Sequence, residues 1–248
     1  MGNSMETQKP LLVVLPGMDG TGRLFESQKS DLAPVFDICC VSIPLDDQSS
    51  WDTLVAQVVT LVQTACQGDP ERMVYLCGES FGACWALYVA VRSPEVCDRL
   101  ILINSASCFP KLWWLHAGIP ILPWMSVPIY RKSTWGLLPF LADLQQVPVP
   151  SRNALVEAMQ AVTPKSVAWR LALMKQFDIT PDALSQLHQQ TLVIASAKDN
   201  ILPSIAEARW LTAYLPNAQQ VVLSNSGHTC LLEQDINLFH ILQSHGLI

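Results

Sequence analysis

Short apolar runs alternate along this chain with longer amphipathic stretches. Leu11–Leu15, Ile38–Ile43, Met73–Cys77, Leu100–Asn104, Thr191–Ala195 and Gln220–Leu223 are rich in Leu, Ile and Val, and each is only four to six residues long. Runs of that length and composition predict strands of a buried parallel sheet. Between them, Arg23–Leu32, Trp51–Cys66, Ala83–Ala90, Ile205–Tyr214 and Leu231–Gln243 predict helices. Trp51–Cys66 is the clearest, with Leu54, Val55, Val58, Val59, Leu61 and Val62 at the spacing of one helical face. Strands alternating with helices predict an α/β class chain, a mostly parallel sheet covered on both faces. No repeat, low-complexity tract or linker divides the 248 residues, so a single domain over 1–248 is expected.

The alternation stops between Ser107 and Gln190. The expected organisation is a core of about 11–107 and 191–245, with a helical cap or lid of about 108–190. The cap holds five of the eight Trp residues. Leu112–Tyr130 contains no Asp, Glu, Lys or Arg and is nominally long enough to span a bilayer. Gly118, Pro120, Pro123 and Pro128 interrupt it, which argues against a membrane span. Two readings of the cap stay open. Its Trp residues are packing, or the cap forms an apolar tunnel or a face for peripheral membrane contact. Trp113, Trp114 and Trp124 are the candidate substrate-binding residues on the second reading.

The punctuation between the runs suggests chemistry. Gly78-Glu79-Ser80-Phe81-Gly82 joins a predicted strand to a predicted helix. A serine held on so sharp a turn, flanked by glycines that let backbones crowd, is the form of a nucleophile elbow. Asp199 lies just past the strand Thr191–Ala195, and His228 in the turn after Gln220–Leu223. Singly, Asp199 reads equally well as a helix cap before Pro203, and His228 as a turn residue. Together, past strand ends and in the order Ser, Asp, His, they are the candidate catalytic set. Neutral serine needs an adjacent base, His228, and the base needs an orienting carboxylate, Asp199. A tetrahedral oxyanion needs two N–H donors. The expected pair is the backbone N–H of Phe81 and that of Met18 in the loop Pro16–Gly22 after the first strand. That loop lacks P-loop and Rossmann spacing and the P-loop lysine, so a phosphate cradle is disfavoured. Asp19 reads as a turn residue bonding its own loop, or as a group that orders water or substrate.

Four stretches carry a resemblance: Leu15–Gly22, Gly78–Gly82, Ala197–Ser204 and Ser226–Thr229. On these the chain resembles the hydrolase half of the phytyl ester synthase group, an esterase/lipase/thioesterase family of plants and cyanobacteria within the α/β-hydrolase superfamily. The similarity runs from about Leu11 to Gln243. It implies an α/β-hydrolase fold and acyl-ester chemistry on lipophilic molecules. In that family an acyltransferase domain with a His-x4-Asp motif follows. None of His116, His188, His228, His240 or His245 has Asp five positions on, so acyl transfer to phytol or a glyceride is not implied.

Composition narrows the field. Net charge is −6 and no basic run is present, which disfavours nucleic acid as a partner. The eight Cys are scattered without C-x-x-C, so buried reduced thiols are expected rather than a disulfide framework, and no metal. Cys77 reads as packing within its strand. Met1–Pro10 is polar and the next apolar run ends at Pro16-Gly17, so no secretion signal and a cytoplasmic setting are expected. The leading expectation is a serine hydrolase cleaving lipophilic carboxylic or thioesters through an acyl-enzyme on Ser80, with no cofactor. An acyltransferase using the same intermediate is the alternative. A non-catalytic ligand-binding protein on a hydrolase fold is the third, since fold alone does not fix function.

Overall fold

The computed structural model describes residues 8–248. The polar segment in which no secretion signal is expected therefore lies, for residues 1–7, outside the described residues. Six strands form one sheet: β1 (Leu11–Leu15), β2 (Asp37–Cys40), β3 (Val74–Glu79), β4 (Arg99–Ile103), β5 (Gln190–Ser196) and β6 (Ala218–Leu223). Their order is β2-β1-β3-β4-β5-β6, and every neighbouring pair is parallel. All six predicted strands are present. The chain is an α/β fold of the kind expected.

The apolar runs hide a period of two. Leu11, Val13 and Leu15 face one core layer with Leu76, Leu100 and Leu102. Leu12 and Val14 face the opposite layer with Ile101, Ile103, Leu192 and Ile194. The first layer is covered by α2 (Trp51–Ala65) and α3 (Phe81–Arg92). The helix α1 (Lys29–Leu32) and α9 (Leu238–Ser244) cover the second. Both faces of the central strands thus leave water, which is why their sequences lack polar alternation. Phe81 to Ala90 is buried without a break, as expected of a helix apolar all round.

Because β1 lies between β2 and β3, the chain leaves β1 toward one edge and returns on its other side. The crevice at such a switch point, beyond the strands' carboxyl ends, is where this architecture builds sites. The loop after β1 and the turn after β3 both open there.

Two predicted helices differ. Arg23–Leu32 begins as a 3-10 segment, Arg23–Gln28, before α1. Gln28 is pinned there, donating to the Leu231 and Ile236 carbonyls and accepting from the Leu238 N–H. Leu231–Gln243 is not one helix. A 3-10 turn, Cys230–Leu232, is followed by an irregular stretch and then α9. Glu233 turns inward to accept from the Gly227 N–H at 2.7 Å, and Asn237 caps α9 by accepting from the His240 N–H. These long-range and capping bonds outcompete helix continuity.

The elbow is a packing constraint. A Cβ on Gly78 would lie 2.2 Å from the Gly82 carbonyl oxygen, and one on Gly82 would lie 2.2 Å from that of Leu15. We expect Gly82→Ala to lose roughly 1–3 kcal/mol to overpacking. At roughly 2–4 °C per kcal/mol, Tm should fall by roughly 2–12 °C in a circular-dichroism melt. An unchanged Tm would mean that the close contact is absent in solution.

Candidate active site

Ser80 sits between β3 and α3 with φ 55° and ψ −111°, outside the regions serine ordinarily occupies. Such strain persists only where the surroundings over-determine it. Here the Ser80 N–H donates to the Ile103 carbonyl at 2.9 Å, while its own carbonyl accepts from the Ala106 and Ala83 N–H groups. The hydroxyl is thereby held in front of α3.

The structure brings Ser80, Asp199 and His228 together. Ser80 Oγ is 3.0 Å from His228 Nε2, and His228 Nδ1 is 2.7 Å from Asp199 Oδ2. Asp199 also does what a turn carboxylate does: Oδ1 accepts from the Ile201 and Leu202 N–H groups at 2.8 and 2.9 Å. Its Oδ2 accepts in addition from the Ser204 hydroxyl, at the start of α8 (Ser204–Tyr214), the helix that follows the short α7 (Pro181–Ser185) and β5. The expected helix-cap role is corrected: Pro203 stands at the N-cap of α8 with no side-chain cap bond, and Asp199 instead closes the turn before it. With both carboxylate oxygens occupied by donors, the group has one orientation to offer the imidazole.

His228 is held by its loop. Asn104, just past β4, donates from Nδ2 to the His228 carbonyl at 2.6 Å and to Ser196 Oγ at 2.9 Å. Asn104 Oδ1 accepts from the Ser196 N–H at 2.8 Å. Asn104 is fully buried with φ 43°, a conformation asparagine tolerates better than most residues. It stitches β4, β5 and the His228 loop together. Sequence reading missed it because its partners, Ser196 and His228, lie far along the chain, and missed Ser204 although Asp199 is only five positions away. The positive φ that Asn permits is the only local signal.

The Phe81 N–H belongs to the first turn of α3, where N–H groups have no partner inside the helix. Met18 lies in the turn closed by the Gly20 N–H on the Gly17 carbonyl at 3.0 Å, across the crevice from Ser80. In the same turn Asp19 Oδ2 accepts from the Thr21 N–H at 2.8 Å and from the Thr21 hydroxyl. Asp19 thus bonds its own loop, the simpler of its two readings.

Electrostatics make His228 a stronger base than an ordinary histidine. Burial opposes charge on His228, but the hydrogen bond and charge of Asp199, with the charge of Glu79, outweigh it. The imidazole pKa lies above the ordinary histidine value. Burial likewise works against charge on Asp199. Its bonds to His228, Ser204 and the Leu202 N–H prevail, so it stays ionised below the usual carboxylate range. Glu79 was not singled out from sequence. Its Oε1 is sealed from water with no hydrogen-bond partner. Burial pushes its pKa up to about 7, against the pull of His228 and with a further push from Asp19, Asp199 and Glu233.

Ser80 and His228 open into a cavity of about 290 Å³. The cap roofs it with α4 (Val127–Leu141), α5 (Val149–Ala161) and α6 (Pro164–Lys175). Leu137, Leu155, Met159 and Leu171 give an almost wholly apolar lining, with Tyr130 and Thr134 among the few polar groups. Trp113, Trp114 and Trp124 do not line it. They are 75%, 56% and 88% exposed, in short 3-10 turns on the outside of the cap. Their expected place against the substrate is corrected. The cavity instead takes Leu122 from that segment, and the Trp rings are not packing either. Among the described residues all eight Cys are free, and burial holds Cys77 well above the ordinary thiol range. Among the described residues no helix is long and apolar enough to cross a membrane.

Residues 10–235 match the family model of the alpha/beta hydrolase fold. Phytyl ester synthase 1 of Arabidopsis thaliana is 29% identical over 96% of this chain and 37% of its own length. This chain therefore spans little more than a third of that relative. A pimeloyl-[acyl-carrier protein] methyl ester esterase of Nitrosomonas europaea is 26% identical over 94% of this chain and 95% of its own. Among solved structures, MenH from S. aureus superposes with TM-score 0.78 at 19% identity, covering 98% of this chain and 95% of its own.

Since Glu79 raises the His228 pKa, Glu79→Gln should lower it. Imidazole NMR titration of the two proteins checks this. A His228 midpoint that stays put or moves up would contradict the electrostatic account.

Proposed function

The chain belongs to the α/β-hydrolase family, and from that premise we propose that it is a serine hydrolase cleaving carboxylic or thioesters of lipophilic acyl groups. The observation that carries this reading is the Ser80–His228–Asp199 line of hydrogen bonds opening into an apolar cavity. Ser80 Oγ attacks the ester carbonyl carbon, and its proton passes to His228 Nε2. Asp199 holds the imidazole tautomer and stabilises the imidazolium. The Phe81 and Met18 N–H groups receive the oxyanion. Losing one such donor typically costs roughly 100- to 1,000-fold in rate. Collapse breaks the bond to the leaving group, which departs with the proton from His228. Water, deprotonated by the same base, then releases the acid and restores Ser80.

An acyl transferase would differ only in the second attacker, an alcohol in place of water. The relatives named phytyl ester synthase keep that alternative open. Hydrolysis is favoured by the match to the methyl ester esterase over nearly its whole length.

The cap's exposed apolar residues support a lipid surface as the source of substrate. Ile129, Trp135 and Phe140 stand out from α4, beside the three exposed Trp residues of the preceding turns. No Asp or Glu occurs between Asp98 and Asp143 in a chain of net charge −6, so this surface is spared acid–headgroup repulsion. Exposed tryptophan suits the interface between headgroups and acyl chains.

Three outcomes are expected. Wild type should hydrolyse p-nitrophenyl esters and Ser80→Ala should lose at least roughly 1,000-fold in kcat with its fold intact; a variant near wild-type rate would overturn the mechanism. The cavity has the volume of about ten waters at roughly 30 Å³ each, and a methylene is of similar size. Rates should therefore peak at medium acyl chains of about six to ten carbons rather than at acetate or palmitate. A monotonic rise to long chains would contradict the roofed cavity. The triple variant Trp113→Ser, Trp114→Ser, Trp124→Ser should pellet less with phosphatidylcholine/phosphatidylglycerol vesicles while hydrolysing a soluble ester at the wild-type rate. Equal pelleting would remove the lipid-surface reading.

A further inference from the structure

Arg170 is the largest charged side chain buried in the protein, 2% exposed, and it comes from the cap helix α6. Among the described residues it makes no ion pair within salt-bridge distance. Its bonds are to backbone carbonyls: Nη1 donates to that of Met18 at 2.8 Å and Nη2 to that of Pro44 at 3.3 Å. Nε is buried without a partner. Burying a guanidinium with so little compensation is costly, so its retention calls for a local reason.

The reason lies in what it touches. The Gly20 N–H closes on the Gly17 carbonyl, which makes Met18 and Asp19 the two central residues of a turn. The peptide between them can face either way in such turns; types I and II differ by its flip. Arg170 Nη1 holds that peptide's oxygen. The guanidinium also lies flat over Gly20, where a Cβ would sit 2.6–2.8 Å from Nη1, Cζ and Nη2, and Gly20 has φ 67°. One side chain from the cap therefore fixes both the central peptide and the last residue of the turn. Its own helix is fastened to the core independently: Trp51 Nε1 donates to the Leu173 carbonyl at 3.0 Å, and Trp169 Nε1 to that of Ser49 at 3.0 Å.

We propose that Arg170 is a positioning residue that locks the Met18 loop in the geometry able to receive the oxyanion, so that the seated cap is a condition of catalysis. The inference rests on the serine-hydrolase reading. Arg170 contacts no reacting atom. It acts through the Met18 carbonyl and through Gly20, whose N–H holds the oxygen of the Gly17–Met18 peptide that carries the Met18 N–H. Lysine, with one compact donor group in place of a planar fork, should reproduce part of its effect.

The test uses Arg170→Met, which keeps most of the bulk but no donor, and Arg170→Lys. Diethyl p-nitrophenyl phosphate titrates active sites and places a phosphoryl oxygen where the oxyanion forms. Per titrated site, Arg170→Met should lose about 10- to 100-fold in both kcat and inactivation rate, less than deletion of a donor itself. KM should change less than threefold, and Arg170→Lys should fall between. A role confined to holding the cap would lower Tm and leave turnover per titrated site unchanged; that result overturns the proposal. A loss expressed in KM alone would overturn it too, placing Arg170 in substrate binding. Wild type inert to the phosphate, and to p-nitrophenyl esters, would instead overturn the serine-hydrolase reading on which this rests.

Discussion

The approach of α3 to the end of β1 is the constraint on which the rest depends. Gly82 brings the first turn of α3 so near the Leu15 carbonyl that a single Cβ would not fit, and Gly78 does the same against Gly82 itself. This crowding forces Ser80 into its strained conformation and sets it across a narrow crevice from the Met18 loop. The strain is stable because three strands converge on it. Ile103 of β4 accepts the Ser80 N–H, and the residues after β4 hold the Ser80 carbonyl and, through Asn104, the His228 loop. Elbow, base and loop are thus set by one short stretch of parallel sheet.

Charge within this crevice is arranged by partner rather than by solvent. Asp199 keeps its proton off because four donors reach its two oxygens. Glu79, with a buried oxygen and no partner, is pushed the other way, to about 7. Two carboxyl groups close to one imidazole are therefore shifted in opposite directions, and only Asp199 hydrogen-bonds it. The cap adds a cation, Arg170, on the opposite side of the Met18 loop. It also closes the apolar cavity, so the hydrogen bonds of the site work in a poorly hydrated space where each counts for more.

The fold was legible because its strands are buried on both faces and its turns carry glycine. Short apolar runs and Gly-x-Ser-x-Gly are local signals. So was the Ser80, Asp199, His228 set, since each residue follows a strand in one order. What escaped was set by contacts between distant residues. Asn104 bonds across more than ninety positions to Ser196, and Arg170 reaches back more than one hundred and fifty to Met18. Nothing near either residue announces such a partner. The single helix expected over Leu231–Gln243 gave way for the same reason, because Glu233 is drawn inward to Gly227. The cap misled differently. Two of its readings, Trp as core or as cavity lining, rest on tryptophan being usually buried. Yet the smaller Leu and Met side chains line the cavity and Trp113, Trp114 and Trp124 face out, which leaves the third reading, a face for membrane contact.

The central claim is that Ser80 is an activated nucleophile. Intact-protein mass after exposure to a fluorophosphonate, on wild type, Ser80→Ala and His228→Ala together, tests it most directly. The account predicts one adduct on wild type, none on Ser80→Ala, and strongly slowed labelling of His228→Ala. Folded wild type that gains no adduct, or Ser80→Ala that is labelled equally, would contradict it.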